Sequence, residues 1–378
     1  MTNSKKNVTL YLSRGADTML RRKAYEKLTE WKNQKKKNAL FIYGARQIGK
    51  TTLIREFAKD NYENFAEINF ILDDRAKLIF ADSYDADTVI ANLTAYVRKP
   101  LVPGKTLVLF DEIQACPEVR TAIKFLVEDG RFDYVETGSM LGVMYKDVRS
   151  YPVGFEDVCQ MFPMDFEEFL MANGVRRDTI DILKDCFENE KTVPEIIHST
   201  IIKLFRAYVV VGGMPQVVQT YVDTHDIGRV TEVQSSILAQ YRLDISQYAK
   251  GGERIKIKSI FDSVPSQLND RNRRFVLSRI NENGRMNRYE DSFMWLSDAG
   301  VALPCYNVTA PEPPLQLNEK RNLFKLYMGD VGLLCAACMD NIQFDLLGGN
   351  LSVNMGSVLE NVMAMQLKSN GYSLDYFD

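Results

Sequence analysis

The sequence predicts an α/β protein: an open, mostly parallel sheet with helices on both faces, followed by a helical segment and a smaller module of three helices and a β-hairpin. Three observations predict it. Short apolar runs of strand length alternate with helical patterns up to about Asp165. One of those runs, Ala39–Tyr43, stops at a glycine-containing loop that opens a helix. Beyond Asp165 the apolar residues fall mainly at helical spacing.

In chain order, an amphipathic helix over 25–31 comes first, and a Lys/Asn-rich loop follows it. The run ALFIY is a buried parallel strand. Leu53, Ile54, Phe57 and Ala58 line one face of the helix after it. Further strands are predicted over 65–70, 106–110, 132–136 and 158–162, with a helix over 117–128. The helical texture begins at Phe166, continues over 195–210, breaks at Gly212-Gly213-Met214-Pro215 and resumes to about Tyr248. Three helical patterns (257–268, 275–281, 289–298) then precede two strands (301–308, 323–328) joined by a Pro-rich turn, which is the winged-helix order. A helix over 356–370 and the start of a strand at Tyr372 read as the opening of a further domain. The expected divisions are a basic lead-in (1–38), a core (39–170), a helical segment (171–255), a winged-helix-like module (256–335) and that last start (345–378).

Composition excludes several chemistries. With two histidines, His198 and His225, neither in a motif, Ser-His-Asp, Cys-His and HExxH arrangements have no imidazole to use. Six cysteines over 378 residues are no disulfide framework, and the pair Cys335/Cys338 sits in an apolar, helix-like run that reads as buried thiols. The polar, basic start is not a signal peptide, and no apolar stretch is long enough to span a bilayer; the expectation is a cytoplasmic protein without membrane contact. Residues 1–38 carry eleven Lys/Arg against three Asp/Glu, a net of +8 in a chain whose total is −3. That lead-in is either a solvated surface or a contact for an acidic partner.

The chemistry lies on Gly44-Ala45-Arg46-Gln47-Ile48-Gly49-Lys50-Thr51, with Thr52 next, which fits GxxxxGK[ST]. Glycines let the backbone curl so that successive N–H groups converge on phosphates, and the helix that follows adds its positive end. Lys50 supplies a compact cation for the terminal phosphates, and the Thr51 hydroxyl is a ligand for Mg²⁺. The strand of residues 106–110 ends in Asp111-Glu112, 60 residues after Thr51. An aspartate there can hold the metal through its water shell, and the next glutamate can act as the base for an attacking water. Thr137 and Ser139 end the next strand, where a hydroxyl could sense the terminal phosphate. Arg46, Arg120, Arg131 and Arg149 are all candidates for an arginine finger, as is an arginine from a neighbouring subunit. No NKxD occurs to read guanine, so ATP is the expected nucleotide.

The strings GARQIGKTTL, LFDEIQACP, ETGSML, PMDFEEFL, YVVVGGMPQVV and KLYMGDVGLL occur in that order. Together they resemble the bacterial and archaeal AAA-superfamily ATPases with a downstream domain of unknown function, over nearly the whole chain from Leu20. The resemblance implies an ASCE-type P-loop core, a helical segment, a winged helix and a C-terminal domain similar to restriction-endonuclease folds. It implies ATP and Mg²⁺ as ligands, Lys50 and Thr51 at the phosphates and metal, Asp111 at the metal, Glu112 as base, and Thr137 or Ser139 as sensor. Two departures matter. Tyr151 to Phe155 stands where many members carry Gly-Arg. Of the nuclease-like domain only the opening helix with Glu360 is present, and it reads as a helix-surface carboxylate.

Residues 251–290 hold nine Lys/Arg against five Asp/Glu, with Arg271, Arg273 and Arg274 clustered. That balance raises nucleic acid as a partner. However, the helix expected to read bases carries Glu290 and Asp291, which phosphate would repel, so a structural or interdomain role is the stronger expectation.

Overall fold

A computed structural model describes residues 20–138, 152–248, 252–270, 273–338, 347 and 355–377. Helix α1 (Ala24–Lys32) leads into strand β1 (Ala39–Tyr43), helix α2 (Lys50–Asn61) and β2 (Asn64–Asn69). A 3₁₀ segment (Asp74–Phe80) and α3 (Ala86–Val97) precede β3 (Thr106–Asp111), α4 (Glu118–Asp129), β4 (Asp133–Gly138) and β5 (Glu156–Gln160). The strands form one sheet in the order β2-β3-β4-β1-β5, every neighbouring pair parallel. Because β4 is inserted between β1 and β3, the carboxyl ends of these three strands stand side by side, and that edge is where an open α/β sheet carries its ligand.

Both sheet faces are apolar, as a parallel sheet requires. Leu40, Ile42, Leu107, Leu109 and Val135 join one core with α2 and the helical segment. Ala39, Phe41, Val108, Phe110 and Tyr134 join a second core with α3 and α4. Each fully buried phenylalanine here contributes about 1.5–3 kcal/mol. The helix α3, not anticipated from periodicity, does carry a start signal: Asp85 caps it, accepting from the Thr88 N–H at 2.9 Å.

Helix α5 (Phe166–Ala172) starts at a reciprocal capping box between Asp165 and Glu168. There follow α6 (Arg177–Glu188), α7 (Glu195–Val211), α8 (Pro215–Thr224), α9 (Ile227–Tyr248), α10 (Gly252–Leu268) and α11 (Glu290–Asp298). Strands β6 (Ala302–Val308) and β7 (Glu319–Met328) make an antiparallel hairpin, and α12 (Val331–Cys338), α13 (Met355–Ser369) and β8 (Asp375–Tyr376) complete the chain. The two-residue β8 adds to the hairpin, parallel to β6. On α13, Asn361 accepts from the Met328 N–H at 2.8 Å and donates to its carbonyl at 3.1 Å, which ties the helix to β7.

The helix expected over 275–281 is instead one 3₁₀ turn, Leu277–Arg279. The Phe275 N–H donates to the Phe324 carbonyl of β7 at 2.9 Å, so this segment begins as an extra tether on the hairpin. Phe275, Phe293 and Phe324 then pack with ring centroids 5.0–5.7 Å apart. That aromatic cluster outweighs the local helical pattern.

The strings PMDFEEFL, YVVVGGMPQVV and KLYMGDVGLL meet at one junction. A Cβ on Gly213 would stand 2.0 Å from the Met164 carbonyl oxygen, and one on Gly332 would stand 2.2 Å from that of Val211. Asp330, 2% exposed, accepts from the Gly213 N–H at 2.6 Å and the Leu333 N–H at 2.9 Å. Cys335 is buried on α12, its thiol donating to the Val209 carbonyl at 3.2 Å, and both it and Cys338 are free thiols. Among the described residues no cluster of His, Cys, Asp and Glu has metal-site geometry, and no helix is long and apolar enough to cross a membrane. His198 and His225 are both exposed.

Candidate phosphate-binding site

The site begins where β1 stops. Gly44 has φ +152°, and a Cβ there would lie 2.1 Å from the Met161 carbonyl oxygen, so only glycine lets the chain leave the sheet beside β5. Gly49 has φ +85° and precedes the first residue of α2, Lys50. Between them Ala45 and Ile48 are buried anchors, while Arg46 and Gln47 face α9.

The Lys50 ammonium curls back over the loop, donating to the carbonyls of Gly44 at 3.0 Å and Ala45 at 2.8 Å. Burial lowers its pKa to about 8; Glu112 and Asp111 oppose that shift, and Arg46 adds to it. Thr51, one residue on, donates from Oγ1 to Asp111 Oδ1 at 3.1 Å across the gap from α2 to β3. Thr52 is exposed on α2.

Asp111 is 4% exposed. Thr51 and Thr137 both donate to its Oδ1, and Asn69 at the end of β2 donates to Oδ2 at 2.8 Å. Thr137, buried at the end of β4, also accepts from the Glu112 N–H at 3.4 Å. Its hydroxyl therefore stands behind Asp111. Glu112 has φ +61°, a left-handed conformation unusual for this residue, and its carboxylate accepts from the Gln114 side-chain amide.

Lys50, Thr51, Asp111, Glu112 and Thr137 are thus brought together along the edge of β1, β4 and β3. Ser139, Arg149 and Arg271 lie outside the described residues. Of the other arginines weighed as fingers, Arg120 is buried on Glu156 at 2.5 Å and over the Phe41 ring. Arg131 pairs with Asp129 and Asp87 ahead of β4, at the opposite edge of the sheet. Arg46 pairs with Asp244 of α9 at 2.6 Å. Glu360 is half-buried and accepts from Arg273, from Lys325 at 3.3 Å and from Tyr327 at 3.0 Å, which makes it a tie between α13 and the hairpin.

Sequence reasoning missed Arg22. It is 8% exposed and donates to the carbonyls of Ile48 at 2.7 Å and Phe162 at 2.6 Å, and to Glu168 at 3.2 Å. It fastens the phosphate loop to the end of β5 and to α5. Burial raises the Glu168 pKa, and Arg22 opposes the rise. A cleft of about 780 Å³ is lined by Arg22, α1, the outer edge of β5 and residues 368–372.

The donor set suits a magnesium-bound triphosphate: a hydroxyl and a carboxylate, both hard oxygen donors, beside a lysine whose present acceptors are two loop carbonyls. Residues 36–170 match the family model described as an AAA domain, and residues 202–344 match one described as a domain of unknown function. No curated protein matches the chain. Among solved structures, a Walker-type ATPase of Pyrococcus abyssi is similar, with a TM-score of 0.50 and 14% identity over 85% of this chain and 96% of that one. The ORC1 protein of Aeropyrum pernix, solved in complex with DNA, aligns at a TM-score of 0.33 and 12% identity, over 93% of this chain and 95% of that one. The core, residues 36–170, therefore has a P-loop fold that matches the AAA domain.

Proposed function

We propose that the crevice binds ATP with Mg²⁺ and hydrolyses it. The observation that carries this reading is the Thr51–Asp111 contact at 3.1 Å, made beside Lys50 and one residue before Glu112. In this reading the Lys50 ammonium leaves the Gly44 and Ala45 carbonyls for the β and γ phosphates. The loop N–H groups and the start of α2 hold the remaining charge. Thr51, whose proton is directed at Asp111, would offer its lone pairs to the metal, and the Asp111 carboxylate would help to hold it. When bound, magnesium would draw charge off the two terminal phosphates. Glu112 orients a water and takes its proton as the water oxygen bonds to the γ-phosphorus and the bond to the β-phosphate oxygen breaks. The proton then leaves with phosphate.

One observation favours slow turnover, a nucleotide switch in place of a fast hydrolase. Glu112 is engaged by Gln114 and held in a left-handed backbone conformation, so it must reorient before it can serve as base. Steady-state ATPase rates separate the two. The hydrolase reading expects Glu112→Gln to retain ATP affinity and lose turnover by about 10²–10⁴-fold. Equal, negligible rates in both proteins would leave the switch. Calorimetry with Lys50→Ala tests the site itself: loss of ATP binding is expected, and unchanged affinity would overturn the assignment.

A further inference from the structure

Among the described residues, one helix of the helical segment, α9, holds two consecutive residues of the phosphate loop. Asp244 of α9 accepts from Arg46 Nη1 at 2.6 Å, and the Tyr241 hydroxyl donates to the Arg46 carbonyl at 3.3 Å. Gln240, one helical turn before Asp244, accepts from the Gln47 side-chain amide. Two consecutive loop residues are therefore read by one face of α9.

The Arg46–Asp244 pair is only partly buried, with side chains 33% and 20% exposed, so it is weak and exchangeable. It also lies close to the chemistry. The charge of Arg46 contributes to lowering the Lys50 pKa, which places the guanidinium within electrostatic reach of the ammonium. Burial raises the Asp244 pKa, Arg46 lowers it and the charge of Glu112 adds to the rise, so the pair lies within electrostatic range of Glu112. A terminal phosphate offers a guanidinium more negative charge than one carboxylate does, together with three acceptor oxygens.

We infer that Arg46 is a sensor of the third phosphate: with a nucleoside triphosphate in the loop it leaves Asp244 for the γ-phosphate and releases that one tie to α9, whereas a diphosphate leaves it on Asp244. This rests on the ATP reading above. It gives the helical segment a direct link to the state of the nucleotide, made by one side chain and without an arginine from another subunit.

The test is calorimetry with ATPγS and ADP, each with Mg²⁺, on the full chain. Arg46→Ala is expected to weaken ATPγS about tenfold and to leave ADP within about twofold. Asp244→Asn, which removes the competing charge, is expected to tighten ATPγS about threefold and leave ADP unchanged. In the double variant the Asp244→Asn gain should vanish, since the two residues act as one unit. Arg46→Lys keeps the charge without the fork and should fall between wild type and Arg46→Ala. Hydrogen exchange in α9 should be faster with ATPγS than with ADP in wild type, and equal in Arg46→Ala. If Arg46→Ala does not fold, Arg46→Lys and Asp244→Asn carry the test. Equal weakening of both nucleotides by Arg46→Ala, or an Asp244→Asn effect that persists in the double variant, overturns the sensor and leaves the ATP reading standing. A wild type that binds neither nucleotide overturns both.

Discussion

Asp111 and Asp330 are the same residue type, almost equally buried at 4% and 2% exposure, and each accepts several hydrogen bonds. They differ in who donates. Asp111 is held by the hydroxyls of Thr51 and Thr137 and the amide of Asn69, all on rotatable side chains at the ends of separate elements. Asp330 is held by main-chain N–H groups of Gly213 and Leu333, with Gly332 contributing, and none of these can turn away without moving the backbone. Side-chain donors can be exchanged for another ligand, whereas main-chain donors cannot. The first carboxylate therefore suits the site proposed for it and the second serves the architecture, although both sit in strings that look equally like motifs.

The sharpest way to break that comparison is a methyl group at the junction. Gly213→Ala puts a Cβ 2.0 Å from the Met164 carbonyl oxygen and 2.7 Å from its nitrogen, and these are backbone atoms that cannot yield. A loss of more than about 4 kcal/mol is expected in denaturant unfolding. Asn69→Ala removes one rotatable donor from Asp111 and should cost only about 1–2 kcal/mol. Comparable losses would mean that the two carboxylates are equally structural.

The next effect is read by pH. Burial raises the Asp330 pKa from 3.8 to about 6, against the opposing backbone N–H groups. The native state then binds more protons than the unfolded chain between those values, so this contribution is fully present below pH 3.8 and is lost as pH rises through 6. Against Asp330→Asn, which does not titrate, wild type should lose about 2.5 kcal/mol of relative stability between pH 4 and pH 7. A flat difference across that range would show that the N–H groups hold the ionised form without penalty.

The phosphate loop, Asp111 and Glu112 were legible because their demands are local: a curl, a helix start and a strand end, each written in consecutive residues. The alternation of strands and helices was legible for the same reason. The strand order was not, since no periodicity says that β4 inserts between β1 and β3. Arg22 and Asp244 were missed because their partners lie far away in the chain, Glu168 for one and Arg46 for the other. In sequence Arg22 is one cation of a basic lead-in and Asp244 one polar residue of a helix. The 275–281 pattern misled because the Phe275–Phe293–Phe324 cluster is a tertiary fact that overrides local spacing.

The smallest expected effect concerns a third buried carboxyl, which sharpens the rule by removing the donors altogether. Glu136 on β4 is fully buried, next to the Thr137 that serves Asp111, with its side chain beside Glu156. Burial and the Glu156 carboxylate push its pKa well above the usual range, and Arg120 opposes the rise only in part. That direction favours the protonated carboxyl, so Glu136→Gln is expected to change unfolding stability by less than about 1 kcal/mol. Glu156→Gln should cost more, about 3 kcal/mol, because it removes the carboxylate that Arg120 holds at 2.5 Å in the core. If the two substitutions cost the same, Glu136 is ionised. A buried carboxylate in this fold would then need no donor of its own, and the distinction between exchangeable and fixed donors would lose its force.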